Sequence, residues 1–294
     1  MKHLIIDGNN IANVAFWRAR SVLGEENKDK TPEEQKEVFK THLSNFGVNV
    51  FLNIFHMYLK DNSGYKIYLA WDSRSGANWR KDHTEDYKAN RDHSSDEFHP
   101  ILYDMMDSLK KLFGYYPIYQ FEVEHAEADD IIFSLCNILD GQKKIISSDG
   151  DMLQIPQKIS DVKVWHPMQK KYREVPEYDV VLYKSICGDP SDGIQGLYKY
   201  GPKKTLKVLG EGLQTLTAEQ RDTVERNKTI VDLSLNPSFE KNTEATKQML
   251  AAQSISNYDF AAIQKLFMTY KQKQHFANAD QIKKLLDKTN SDRL

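Results

Sequence analysis

Nine acidic residues fall in five short clusters within the first 192 residues of this 294-residue chain. They are Asp7 in LIIDGNN, Asp72 in IYLAWDS, Glu127, Asp129 and Asp130 in HAEADDII, Asp149 and Asp151 in IISSDGDM, and Asp189 and Asp192 in ICGDPSDG. Asp7, Asp72 and Asp149 each end a short apolar run of β-like character (HLII, IYLAW, KKIIS). In an α/β sheet the carboxyl ends of strands open onto one crevice, so these side chains are expected to meet. Carboxylates that close repel and partly neutralise one another unless divalent cations sit among them. Hard oxygen donors suit Mg²⁺ or Mn²⁺, and two such ions about 4 Å apart are a common apparatus for phosphodiester hydrolysis. The pattern predicts a metal-dependent nuclease. Each cluster alone has a plainer account, since Asp-Gly makes turns and acids suit the start of a helix. Turn chemistry does not explain why three of the five stand at strand ends.

The elements that must hold these acids follow from the periodicity. A first strand (3–7) runs into the helix-like IANVAFWRAR, then the charged connector GEENKDK. Thr31-Pro32-Glu33-Glu34 is a capping box with proline at the first helical position, so a helix starts there. Val38, Phe39, Leu43, Phe46, Val50, Phe51, Ile54, Phe55 and Tyr58 give it a wide apolar face, interrupted by Gly47. KIYLAW, PIYQFE (117–122) and KKIIS (143–147) read as further strands, with a helix from about Ala128 to Leu139 between the last two. This alternation predicts a mostly parallel sheet with helices on both faces. VKVWHP, a Met168-Gln169 turn and KKYREV read as an antiparallel hairpin at the sheet edge. From Glu177 onward the chain reads as helical. There is no internal repeat or low-complexity segment.

Two basic stretches frame the acids. Residues 73–97, SRSGANWRKDHTEDYKANRDHSSDE, hold almost nothing apolar. Such a polar insertion is usually functional or disordered, and a solvated loop is the plain alternative. Its cations Arg74, Arg80, Lys81, Lys88 and Arg91 are expected to grip phosphate, and Trp79 and Tyr87 to stack on an unpaired base. Lys88 and Arg91, three apart, would share one face of a helix. After Asp192 comes GIQGLYKYGPKKTLKVLG, where Lys199, Lys203, Lys204 and Lys207 stand without an acid among them. Backbone N–H groups at a helix start after Gly201-Pro202, beside those lysines, make a phosphate site.

Composition agrees once charge is partitioned. The net charge is −2, but without the nine clustered acids the rest of the chain carries +7. A basic surface beside an acidic pit is what a nucleic-acid hydrolase needs. No apolar run approaches 18 residues and there is no signal-peptide pattern, so a cytoplasmic location without membrane contact is expected. Cys136 and Cys187 read as core fillers in a reducing compartment.

IIDGNN, WRKDHTEDYKANR, EADD, KIISSDGDM with VKVWHPMQKKY, and GDPSDGIQGLYKYGPKKT, in this order, resemble the 5′-nuclease superfamily. That superfamily includes flap endonucleases, the 5′-exonuclease domain of bacterial DNA polymerase I and the standalone phage enzymes of RNase H type, which this chain looks most like. The resemblance runs from Met1 to about Pro237 and implies a PIN-like nuclease domain (1–186) with a helical arch or clamp (73–97). It further implies a helix–three-turn–helix DNA-binding region (187–237) and a helical C-terminal region (238–294). Carried over, Asp7, Asp72, Glu127 and Asp130, with Asp129 close by, serve a first Mg²⁺. Asp149, Asp151, Asp189 and Asp192 hold a second, partly through waters, and Mn²⁺ can substitute. Lys88 and Arg91 match cations that steer the scissile phosphate. Gly196 and Gly201 match glycines of a hairpin that binds duplex phosphate, through K⁺ in several relatives.

Lys199 stands where many members have glycine and Gly193 where most have asparagine. Both a K⁺ site and a direct lysine–phosphate contact therefore stay open. The implied activity is 5′→3′ exonuclease and flap endonuclease action on RNA primers, RNA/DNA hybrids and branched or nicked DNA in lagging-strand replication. A monomer is expected, with recruitment to replication forks by single-strand-binding protein and a sliding clamp. Two rivals remain, a PIN-like ribonuclease of RNA processing and a non-catalytic binder of forks or flaps. Ile263, Leu266 and Phe267 fit either core packing, the better account, or a partner-binding helix face.

Overall fold

The computed structural model describes residues 1–75, 78–84, 87–88, 97–253 and 258–291. In chain order the elements begin β1 (Lys2–Asp7), α1 (Gly8–Glu26), α2 (Pro32–Asp61), β2 (Lys66–Trp71), α3 (Asn78–His83), α4 (His99–Phe113) and β3 (Tyr119–Glu122). Next come α5 (Ala128–Ile138), β4 (Gln142–Ile146), α6 (Gln154–Lys158), β5 (Val162–His166), β6 (Lys171–Tyr172), α7 (Val180–Cys187), β7 (Gly188–Asp189) and β8 (Ile194–Gln195). The chain ends with α8 (Pro202–Glu211), α9 (Ala218–Val231), α10 (Phe239–Ala252), α11 (Phe260–Thr269), α12 (Lys273–Ala277) and α13 (Ala279–Ser291). It divides into two compact units, one of residues 1–70, 95–121 and 250–294, the other of 71–94 and 122–249. The boundary expected at 186/187 falls inside the second unit. The expected C-terminal region is shared between both.

In the first unit β1 pairs parallel with β2, Leu4 opposite Ile67 and Ile6 opposite Leu69, and the strand order is β3-β2-β1. From His3 to Asp7 every residue of β1 is buried, the continuous pattern of a strand covered on both faces. The capping box opens α2 as the sequence predicts. The Glu34 amide donates to Thr31 Oγ1 at 3.3 Å and the Thr31 amide to Glu34 Oε2 at 2.9 Å.

The apolar face of α2 is placed differently in detail. Val38, Phe46 and Val50 are only partly buried, whereas Val48, Leu52 and Leu59 are in the core. Phe55 packs on Phe113 of α4 with ring centroids 4.5 Å apart. Gly47 does more than interrupt the pattern, because a Cβ there would lie 2.3 Å from Met105 Sδ. The glycine lets α4 approach. Ile263, Leu266 and Phe267 are buried, so core packing is their account.

In the second unit β4 runs parallel to β5, with Ile145 opposite Val164, and β6 folds back antiparallel onto β5. The expected hairpin is therefore present, with Lys170 left-handed in its turn (φ 51°). Helices α7, α8 and α9 share a core of Ile186, Leu197, Val208, Leu216 and Val224.

The expectation that the chain is helical from Glu177 onward is corrected at one place by a two-stranded ribbon, β7 paired antiparallel with β8. Gly188 stops α7 at φ 82° and Gly193 turns the chain at φ 73°. Gly196 then lies so close that a Cβ would meet the Cys187 carbonyl carbon at 2.2 Å. Only glycine fits there.

The insertion after β2 is also less open than its composition suggests, since Trp79 and Tyr87 are buried. Cys136 is buried and Cys187 partly so.

Adding a methyl group at Gly47 forces Met105 off its rotamer or parts the two helices. Gly47→Ala is expected to cost about 1–3 kcal/mol, the usual scale of overpacking. Urea unfolding checks this, with a lower midpoint at unchanged m expected.

Candidate metal centre and nucleic-acid interface

Eight of the nine acids lie in the second unit. Glu127 is the N-cap of α5, and its amide donates to Asp130 Oδ2 at 3.1 Å, a capping box built from two acids. Asp72, just past β2, accepts the Ala128 amide at 2.7 Å. The start of α5 therefore gathers carboxylates where backbone N–H groups and the helix dipole favour negative charge.

Arg80 of α3 enters this cluster almost completely buried. Its Nη1 donates to Glu127 Oε2 at 2.8 Å and to Asp130 Oδ2 at 3.2 Å. Its Nη2 donates to Asp129 Oδ2 and Asp130 Oδ1, both at 3.2 Å. Tyr87 Oη donates to Glu127 Oε2 at 2.9 Å, and Lys88 Nζ to Glu127 Oε1 at 2.6 Å. Burial, and then the charge of Glu127, raises the Asp72 carboxyl above the ordinary range. Burial likewise pushes Asp129 well up against the pull of Arg80. Burial also pushes on Glu127, but Arg80 and Lys88 outweigh it and hold that carboxyl low.

A second cluster forms where the turn after β4 meets the ribbon. Asp149 Oδ1 accepts the Asp151 amide at 2.8 Å, fixing the SDGD turn, and Arg173 Nη1 ties down the Asp149 carbonyl at 2.7 Å. Asp151, Asp189 and Asp192 each offer an oxygen, all within 4.8 Å of one another. That donor set fits a hard divalent cation. Lys184 of α7 pairs with both Asp151 and Asp189, the latter at 2.7 Å. Burial lifts the Asp151 carboxyl to about 6 although Lys184 pulls the other way. Asp7 belongs to the first unit, where it caps α1 by accepting the Asn10 amide at 3.0 Å.

The two clusters are tied by main chain. The Lys88 amide donates to the Asp192 carbonyl at 2.8 Å, with Lys88 left-handed at φ 55°. Lys88 therefore sits in a turn, which corrects the expectation of a helix face shared with Arg91. Arg91 lies outside the described residues. The expectation that Arg80 and Tyr87 reach nucleic acid from the surface also meets a correction, because both side chains point into the acidic cluster. Arg74 and Lys81 are exposed. So are Lys199, Gly201, Lys203 and Lys204, on the turn and first turn of α8, which carries no acid there. Lys199 is left-handed at φ 60°, and Lys204 Nζ lies 3.7 Å from the Tyr200 ring centroid.

Three polar side chains of the second unit escaped sequence reasoning: Lys184, Arg173 and Asn236, whose Nδ2 donates to Asp130 Oδ1 at 2.9 Å. Only Lys184 left a signal, as a cation inside an apolar helix leading straight to Asp189. Lys184→Met strands two half-buried carboxylates, so stability is expected to fall by about 1–3 kcal/mol. Ca²⁺ should then raise the melting temperature more in the variant than in the parent, because Lys184 no longer competes. Melting curves with and without Ca²⁺ check both expectations.

Residues 2–183 match the family described as 5′-3′ exonuclease, N-terminal resolvase-like domain. DNA polymerase I of Bacillus subtilis (strain 168) is 27% identical over 271 residues, which is 87% of this chain and 27% of that protein. Ribonuclease H of enterobacteria phage T4 is 34% identical over 146 residues, 45% of this chain and 46% of that protein. The chain thus spans about a quarter of the polymerase and under half of the phage enzyme. The T5 5′-exonuclease with bound zinc ions superimposes with a TM-score of 0.60 at 20% identity, covering 85% of this chain and 99% of that one. The phage T5 flap endonuclease in complex with DNA and metal ions gives 0.59 at 18%, covering 85% and 100%. That likeness shows the fold, a PIN-like α/β architecture with a mostly parallel sheet. A family match over more than half of the chain carries the assignment: this protein belongs to the 5′-3′ exonuclease N-terminal domain family.

Proposed function

We propose that this protein is a metal-dependent 5′→3′ exonuclease and flap endonuclease acting on RNA primers and on DNA flaps and nicks. The observation that carries the reading is the convergence of carboxylates from separate chain segments. Asp72, Glu127 and Asp129 crowd the start of α5, and Asp151, Asp189 and Asp192 lie within 4.8 Å of one another. Carboxylates brought this close repel one another, and a hard divalent cation among them relieves that repulsion. When bound there, Mg²⁺ or Mn²⁺ would lower the pKa of an attacking water and stabilise a leaving 3′ oxygen.

The chain's own groups do the rest. The carboxylates position the ions. Lys88 keeps 24% of its side chain exposed while Arg80 keeps 3%, so Lys88 is the cation that turns from Glu127 to a scissile phosphate. Preorganised charge of this kind acts where negative charge grows in the transition state. Arg91 is proposed as its companion on the strength of its place in the sequence motif.

The ribbon and α8 supply the duplex grip. Lys199, Lys203 and Lys204 surround a helix N-terminus and read phosphate without reading bases. Whether K⁺ joins that site turns on Lys199, whose ammonium fills the role by itself. The rival ribonuclease of RNA processing has no use for this lysine-rich hairpin. We propose in addition the three-part division at 186/187 and 237/238, a monomeric state, and recruitment at forks by single-strand-binding protein and a sliding clamp. Among the described residues no helix is long and apolar enough to cross a membrane.

Two measurements test the proposal. Asp151→Asn should abolish cleavage of a 5′-flap duplex in Mg²⁺ while flap binding in Ca²⁺ stays within a few-fold, since removing negative charge does not repel phosphate. Retained turnover would sink the two-ion reading. Replacing Lys203 and Lys204 together by Ala should weaken all sequences alike and flatten the log affinity versus log salt slope by about one per lost contact. An unchanged slope would show that α8 does not meet DNA.

A further inference from the structure

We propose that Arg80 is a positioning residue for the metal-holding carboxylates, and that Asp130 is its internal partner rather than a metal ligand. The inference rests on the metal-centre reading above.

Asp130 is buried, and each of its oxygens is taken. Oδ1 receives Arg80 Nη2 at 3.2 Å and Asn236 Nδ2 at 2.9 Å. Oδ2 receives Arg80 Nη1 at 3.2 Å and the Glu127 amide at 3.1 Å. A carboxylate offers about four lone-pair sites, so nothing is left to bind an ion. Family resemblance alone would have made it a first-site ligand.

Arg80 is equally committed. A guanidinium has five N–H donors. Four go to the three carboxylates, and the fifth, on Nε, points to the Ile230 carbonyl at 3.4 Å. Its Cζ lies 4.4 Å from the Trp79 ring centroid, so the indole covers the guanidinium. No donor remains for a phosphate. Withdrawing the group would strand a buried charge, a cost of several kcal/mol.

The consequence is a division of labour. Asp130 and Asn236 hold the guanidinium. The guanidinium then holds one oxygen each of Glu127 and Asp129, directing how the cluster faces an ion. Glu127 Oε1 faces Lys88 instead, a cation exposed enough to leave. Glu127 is thus the acid freed for a metal, and Arg80 is the countercharge that stays.

The test uses the full chain and Mn²⁺ alone. Binding is followed by calorimetry and by the electron paramagnetic resonance of free Mn²⁺, for the parent and for Arg80→Gln, Arg80→Lys and Asp130→Asn. Arg80→Gln should weaken Mn²⁺ binding about 10–100-fold, the usual effect of losing an outer-shell partner. Arg80→Lys should not rescue it, because an ammonium lacks the planar fork. Affinity for a 5′-flap duplex in Ca²⁺, and its salt slope, should not change in either. Asp130→Asn should bind as many Mn²⁺ ions per chain as the parent.

A loss of one ion in Asp130→Asn would make Asp130 a ligand and overturn the inference. So would a flatter salt slope with Mn²⁺ binding intact in Arg80→Gln, which would place Arg80 on the phosphate. A lower melting temperature with unchanged Mn²⁺ affinity would leave it a merely structural arginine, and the inference would again fail. Should Arg80→Gln not fold, Asp130→Asn decides alone. Failure of the parent to bind Mn²⁺ would instead remove the metal-centre reading itself.

Discussion

Repulsion between carboxylates is the constraint on which the second unit is built. At contact distance in a poorly hydrated pocket, like charges cost several kcal/mol each unless a cation stands between them. The chain answers with cations of its own at graded depth. Arg80 is sealed inside the first cluster, Lys88 lies at its margin, and Lys184 spans the second. The fold thereby holds its acids together whether or not divalent ions are present. It also sets an order of exchange, in which the more exposed a cation is, the more readily it yields its place.

Much of this was legible in the sequence because it depends on local chemistry. The Thr31 capping box, the strand at KIYLAW, the helix opening at Ala128 and the hairpin around Lys170 all follow from neighbours within a few residues. The acids announced themselves for the same reason, since few soluble folds need so many at strand ends. What stayed hidden were partners far apart in the chain. Nothing near Arg80 says that its charge is spent on Glu127, Asp129 and Asp130, 47 to 50 positions onward. A polar, basic, aromatic stretch reads as a nucleic-acid grip; here its Trp79 and Tyr87 line the pocket that sheathes the guanidinium. Composition alone does not separate these cases, because both require planar and cationic side chains.

The ribbon between α7 and α8 was missed for a different reason. Its strands are two residues each, too short for any periodicity to register. Its signal is steric: Gly188, Gly193 and Gly196 mark positions where the backbone turns left-handed or meets another backbone. Asp189 and Asp192 stand in and just after β7, and the chain leaving β8 leads into the lysine-bearing turn. One compact device thus carries both signs of charge, which is how a chain of nearly balanced net charge presents separate acidic and basic regions.

The bond from the Lys88 amide to the Asp192 carbonyl is made by main chain, and so it is indifferent to which side chain stands at position 88. Any residue except proline preserves it, and glycine, at ease with the left-handed φ, would preserve it with less strain. Chemistry at this position is therefore separable from architecture. A lineage is free to exchange the lysine and retune the reaction while the loop keeps its path. The same amide is also a built-in reporter: its hydrogen exchange slows only while the segment after β2 and the ribbon hold one another, so one site in the chain records whether the two acidic clusters are assembled.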